Sequence, residues 1–278
     1  MPLIQDYNKL YEQNSNIKKI YVNGNVVWPT VVIDPKTTPF SVRNMENTSI
    51  EFPIDPNYSY SIVDGEWFTP YESGTITLDP DEKMRIRWAK QPRTYIDHTT
   101  FPWPSNSIRI NIGGNIMSLL DGEYFVEADT VGGIAFEELF FIKQVDLDDL
   151  VLPATTLATQ CYSKMFYGCR SLTTAPALPA TTLFNSCYSD MFNGCTSLTS
   201  APALPATTLA KSCYRNMFNG CTSLNTIKCL ATSGINVNAT TYNWLYNVSS
   251  TGTFTKAAGV TWPSGDSGIP SGWTVIDA

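Results

Sequence analysis

Apolar residues recur every four positions between residues 157 and 169: Leu157, Cys161, Met165 and Cys169, with Phe166 beside Met165. That spacing predicts a helix carrying one apolar stripe. Thr155 or Thr156 can cap its start, because a hydroxyl accepts from an orphan amide. Gly168 suits the left-handed position that follows a last helical turn. The pattern returns twice, with Gly194 and Gly220 at the same place, because residues 152–170, 178–196 and 204–222 are near-identical copies offset by 26 residues. Between helices, Leu172, Ala175 and Leu178 predict a short strand whose pairing Pro176 and Pro179 limit. A unit of strand, turn, helix and turn cannot cover its own apolar face, so the copies are expected to stack as a parallel solenoid. Leu198, in the middle copy, is then a core residue. Leu198→Ala should cost roughly 2–5 kcal/mol, and an unchanged thermal melt would place the side chain outside the core.

The rest of the chain divides by pattern. In residues 1–30, Tyr7, Leu10 and Tyr11 fall at helical spacing, and IYVNGNVVW at 20–28 places Asn23-Gly24 between two apolar runs. Asn-Gly favours the type I′ turn of a tight hairpin, since both central residues need positive φ. This segment reads as an anchor helix and hairpin, with Tyr7, Tyr11, Tyr21, Asn23, Gly24 and Trp28 as candidate anchor residues. Residues 31–92 read as a small β-sandwich, with strands near 41–43, 49–52, 58–63, 74–78 and 84–88. In the last, Met84, Ile86 and Trp88 alternate with Lys83, Arg85 and Arg87, so one face is a core and the other a basic stripe. Residues 93–150 read as a linker and a degenerate N-terminal cap repeat, because Phe136–Phe141 (FEELFF) aligns one period before YSKMFY. Residues 151–225 hold the three repeats, and 226–278 form a C-terminal cap covered by Trp262 and Trp273. The fold class expected is mixed α/β: a β anchor hairpin and small sandwich followed by a 26-residue leucine-rich-repeat solenoid.

Charge narrows the function. The net charge is -7, which argues against a nucleic-acid partner. Charged residues are 15% of the chain, below the ~25% of ordinary soluble domains, so the surface is polar through Ser, Thr and Asn. No apolar run reaches the ~20 residues of a membrane span, and the start has no apolar core of a secretory signal.

Chemistry is sparse. The seven cysteines include two per copy, eight residues apart, too far to bridge on a helix, and they read as buried free thiols. Zinc is the alternative, but no C-x-x-C pair is present and His98 is the single histidine. His98 beside Asp97 in a strand would point away from it, which argues against a catalytic dyad. Two carboxylate clusters, Asp79, Asp81 and Glu82, and Asp146, Asp148 and Asp149, read as turn or cap residues or as Ca²⁺ ligands without EF-hand spacing. No catalytic residue, cofactor or metal is assigned, and a polysaccharide-degrading enzyme would need an acid pair that the repeat does not place.

The copies differ where a helix would face water. Ala158, Phe184 and Ala210 are equivalent, as are Thr159, Asn185 and Lys211, then Lys164, Asp190 and Asn216; Tyr167 matches Asn193 and Asn219, and Arg170 matches Thr196 and Thr222. Drift and the tuning of recognition both account for this variation. The candidate binding surface is Phe184, Asn185, Lys211, Lys164, Asp190, Asn216, Tyr167 and Arg170, with Phe184 as an exposed aromatic anchor.

The run LPATTL…CYxxMFxGCTSLTxAPALPATTL, with 60–88, 114–122 and GIPSGWTV near the end, resembles the Bacteroides surface-antigen (BspA-like) type of leucine-rich repeat over roughly residues 40–278. The resemblance implies surface adhesion or recognition, with no catalytic residues. NIKKIYVNGNVVWP resembles N-terminal strands of structural proteins of gut Bacteroides phages, including the crAss-like group. Together these imply a virion surface protein (head fibre, tail fibre or decoration) that contacts other virion proteins through its N-terminus and a host glycan or protein through its repeats. A homotrimer or homodimer is the expected form. The alternative is a bacterial cell-surface adhesin of the same type, lacking its export signal.

Overall fold

The computed structural model describes residues 20–22, 25–28, 39–62, 69–70, 73–89, 95–97, 99–104, 108–121 and 129–278. The chain forms two compact units, residues 1–34 and 35–278. In the first, β1 (Ile20–Val22) pairs antiparallel with β2 (Asn25–Trp28), Tyr21 opposite Val26 and Val22 opposite Asn25. Tyr21 and Trp28 therefore lie on hairpin strands; Tyr7, Tyr11, Asn23 and Gly24 lie outside the described residues.

The second unit begins with β3 (Ser41–Asn44), β4 (Ile50–Ile54), β5 (Tyr58–Ile62), β6 (Gly74–Leu78), β7 (Lys83–Trp88), β8 (Arg109–Gly113) and β9 (Gln144–Leu147). A five-stranded sheet runs β5-β7-β3-β8-β9, and β4 pairs with β6 in a second sheet. The larger sheet thus extends beyond residue 92, taking two strands from the segment expected to be a linker and cap. Alternation in β7 has its expected effect: Met84 and Ile86 are buried, while Lys83, Arg85 and Arg87 are partly exposed. Ser118, at the start of the single-turn helix α1 (Ser118–Asp121), ties this turn to the sheet. Its hydroxyl accepts from the Phe40 amide at 2.8 Å and donates to the Ile86 carbonyl at 3.2 Å.

The repeats overturn the expected mixed α/β class and its solenoid of strand–helix units. Among the described residues no helix reaches seven residues, and the regular structure is almost entirely β. Residues 172–178 form no strand, and 159–168 form consecutive tight turns. The amides alternate between two kinds of partner. Tyr162, Lys164, Phe166 and Gly168 donate to Cys187, Ser189, Met191 and Asn193 of the following coil at 2.7–3.0 Å. Ser163, Met165, Tyr167 and Cys169 donate three residues back, to Gln160, Tyr162, Lys164 and Phe166, at 3.0–3.3 Å. Every amide of this run is therefore paired without a helix. The backbone turns left-handed at every fourth residue, with φ of 58° at Gln160, 52° at Lys164 and 69° at Gly168. A helix needs negative φ throughout and bonds to the fourth residue back.

The physical reason lies in the period. On a helix each four-residue step overshoots one turn by about 40°, so a strict four-residue stripe drifts around the cylinder. A four-residue turn repeat keeps it on one side. Two of every four side chains then point inward: Cys161 and Tyr162, Met165 and Phe166, and so on through each copy, all buried. Of the residues between them, Ser163 and Ser189 are also buried, while Lys164, Tyr167, Asp190 and Asn193 are partly exposed. Asp190 and Asn216 occupy left-handed positions, with φ of 56° and 50°, which short polar side chains tolerate better than most.

The coils stack through columns of equivalent side chains. One aromatic column runs Phe136, Tyr162, Tyr188, Tyr214, Trp244 and Trp262, with neighbouring centroids 5.3–6.2 Å apart. Another runs Phe140, Phe166, Phe192 and Phe218 at 5.0–5.5 Å. Phe136 and Phe140 belong to the segment aligned one period before the first copy, and they form the first rung. Trp103 and Phe40 meet Phe140 at 5.3 and 6.1 Å, so the FPWP segment joins the sheet core to the stack. At the far end a parallel sheet of β10 (Thr226–Cys229), β11 (Gly252–Lys256) and β12 (Trp273–Asp277) follows, with Trp262 and Trp273 nearly buried.

All seven cysteines are free and buried. The second cysteine of each copy is more than a small hydrophobe. Cys169, Cys195 and Cys221 donate through Sγ to the carbonyls of Phe140, Phe166 and Phe192, one coil back, at 2.9–3.1 Å.

Candidate functional site

Outward-facing positions also form columns, and this reassigns several residues singled out from the sequence. Lys164, Asp190 and Asn216 occupy successive rungs of one column below Glu138. Lys164 Nζ pairs with Glu138 Oε1 at 2.6 Å, and that hydrogen bond raises the lysine's pKa. Asp190 Oδ1 accepts from Asn216 Nδ2 at 3.1 Å and from Asn193 Nδ2 at 3.0 Å, and its Oδ2 accepts from the Ser189 hydroxyl at 2.8 Å. Variation in this column is thus matched from rung to rung, and these three side chains are engaged within the stack. Phe184 is 49% exposed, and Asn185 and Lys211 are exposed near it.

Tyr167 and Arg170 lie together elsewhere, at a cavity of about 460 Å³. Its floor is set by backbone. Gly168 and Gly194 stack with positive φ of 69° and 76°, and a Cβ on Gly194 would stand 3.7 Å from the Gly168 Cα. Tyr167, Asn193, Arg170, Ser171, Thr196, Ile142, Lys143 and Gln144 line it with these glycines. Tyr167 stacks on Phe141 at 5.0 Å with 13° between planes. Lys143 is half-buried: Nζ donates to the Pro104 carbonyl at 3.3 Å and lies 5.8 Å from the Trp103 ring centroid. Burial lowers its pKa. None of the residues lining this cavity is acidic.

Lys143, Gln144 and Asn193 were not among the residues expected to bind. The signal was present: Gln144 stands one 26-residue period before Arg170, and Asn193 one after Tyr167. Only the turn-ribbon geometry places those equivalents in contact.

The other chemistry resolves into structure. Asp148 pairs with Arg43 at 3.2 Å and with Lys83, the first residue of the basic stripe, at 3.4 Å. Arg109 Nε donates to Asp146 at 2.8 Å, and Asp149 Oδ1 accepts from the Gly114 amide at 2.9 Å. Asp79 accepts from the Ser49 hydroxyl at 2.6 Å, and Glu82 accepts from the Asp79 amide at 2.9 Å. Among the described residues no three His, Cys, Asp or Glu side chains gather as a metal site. Asp97 caps its own turn, accepting from the amides of Thr99 and Thr100 at 3.0 and 2.9 Å. Burial alone would raise its pKa; the hydrogen bonds from Tyr95, Thr99 and Thr100 outweigh it and hold the carboxyl at about 2. His98 lies outside the described residues. No described helix is long and apolar enough to cross a membrane. No protein-family model, curated protein or solved structure matches the chain.

Proposed function

We propose that this chain is a non-enzymatic virion surface protein, a head fibre, tail fibre or decoration, that docks onto the particle through residues 1–30 and displays its repeats for adhesion to a host-surface glycan or protein. One observation carries the reading: the stack keeps its inside constant and varies its outside. Met165, Met191 and Met217 are fully buried equivalents, as are Phe166, Phe192 and Phe218, whereas Tyr167 and Arg170 give way to Asn and Thr in the later copies. A broad rigid surface whose exposed side chains change at each rung suits recognition better than turnover. A symmetric trimer or dimer is the proposed form.

The test is an inventory of purified particles by mass spectrometry, with wild-type chain and a variant lacking residues 1–30. Wild-type chain should be found in virions, and the truncated chain should be absent from them while melting at an unchanged temperature. Normal incorporation of the truncated chain would refute the anchor. Recovery from bacterial envelopes and not from virions would favour a cell-surface adhesin.

A further inference from the structure

We infer that the cavity beside Tyr167 and Arg170 binds an anionic saccharide, with the acid group on the guanidinium and a sugar face on the tyrosine ring. This deepens the adhesion reading and rests on it for its biological setting. Charge is the first argument. The chain carries a net -7, yet the residues lining this cavity include the basic Lys143 and Arg170 and none that is acidic. Arg170 is exposed and makes no ion pair or hydrogen bond among the described residues. Its planar donor fork matches a carboxylate or sulfate in two-point contact.

The second argument is the shape of the aromatic column. Phe141 covers one face of Tyr167. The next rung carries Asn193, whose amide is drawn aside to Asp190 at 3.0 Å. The column of rings therefore ends at Tyr167, leaving an aromatic ledge on the side that opens to the cavity. Such a ledge offers apolar contact to the C–H face of a pyranose, and Thr196 offers a hydroxyl to its polar edge. A volume of about 460 Å³ is in the range of small-ligand sites and suits a short saccharide segment.

The natural copies supply variants that keep the fold. Arg170→Thr and Tyr167→Asn install the residues found at the same position in the second and third copies, Thr196 and Asn193. Calorimetric titration of the full chain would compare oligogalacturonate, its methyl ester, dextran sulfate, inorganic phosphate and duplex DNA. Oligogalacturonate or dextran sulfate should bind, and which of the two binds identifies the acid group. The uncharged ester should bind at least about tenfold more weakly than the acid, as should the acid to the Arg170→Thr variant, because a charge-assisted contact is lost. Tyr167→Asn should weaken acid and ester alike. The inference fails if neither acidic saccharide binds, if acid and ester bind equally, if Arg170→Thr changes nothing, or if phosphate or DNA competes as well as the saccharide. Adsorption of particles carrying both substitutions is scored separately. Lost saccharide binding with normal adsorption would remove this cavity from adhesion and leave the display reading standing. Absence of the chain from virions would refute display while saccharide binding remains measurable on the purified chain.

Discussion

Phe192→Ala should destabilise the repeat stack by about 3–5 kcal/mol, the range for removing a buried aromatic side chain. The ring is fully buried between Phe166 at 5.4 Å and Phe218 at 5.5 Å, with 3° between planes on both sides. Its neighbours cannot close the gap cheaply. The rung above is held by the Phe166 amide on Met191, and the rung below by the Phe192 amide on Met217, each at 2.9 Å. The Cys221 thiol also donates to the Phe192 carbonyl at 3.0 Å, so backbone movement to fill the space would disturb a second column. In a stack whose stability is a sum over adjacent units, damage at the middle rung weakens both neighbouring interfaces. Urea unfolding should therefore shift to lower midpoint. The control is Phe184→Ala in the same copy, which is 49% exposed and should stay within about 0.5 kcal/mol of wild type. Equal effects from the two substitutions would show that the aromatic column does not hold the coils together.

Much of this architecture is legible in the residues, and the failure is instructive. The 26-residue register, the inward methionines and cysteines, the Phe136 rung and the closing tryptophans all follow from pattern alone. So do β6 and the pairing of β1 with β2. The helices do not form, although apolar residues recur four apart. Four is close to the helical period but is not equal to it, so the stripe of Leu157, Cys161, Met165 and Cys169 drifts around a helix and does not stay on one face. Composition added a second warning: Thr, Cys, Tyr, Asn and Gly are poor helix formers. The candidate surface divided for the same reason. A helix reading makes each variable position an independent solvent contact. The turn ribbon instead sets equivalents directly above one another, so Glu138 meets Lys164 and Asp190 meets Asn216. Tyr167 is paired only with the rung before it, on Phe141, because the rungs beyond Tyr167 and Arg170 carry the shorter Asn193 and Thr196.

Raising the pH should unfold the stack. Burial pushes the thiols of Cys161, Cys221 and Cys229 up to about 12 from their ordinary value of 9.0, and it also raises those of Cys169, Cys187, Cys195 and Cys213 well above that value. Burial does the same to the hydroxyls of Tyr162, Tyr188 and Tyr214. A thiol with a raised folded pKa keeps its proton where the open chain loses it. The folded form then binds more protons, and stability falls as pH rises. The contribution is complete below about pH 9, where both states are protonated, and disappears as pH climbs toward the folded values. Each thiol removes about 1.4 kcal/mol per pH unit in that window. All seven together remove on the order of 10 kcal/mol per unit, comparable with the whole stability of an ordinary domain. Circular dichroism should therefore collapse within roughly one to two pH units above 9. Alkylation by iodoacetamide should rise at that same pH and stay low at pH 8. A chain that keeps its dichroism at pH 11 would contradict this account. So would one whose cysteines label at pH 8 without unfolding, since the thiols would then have reached water without the coils separating.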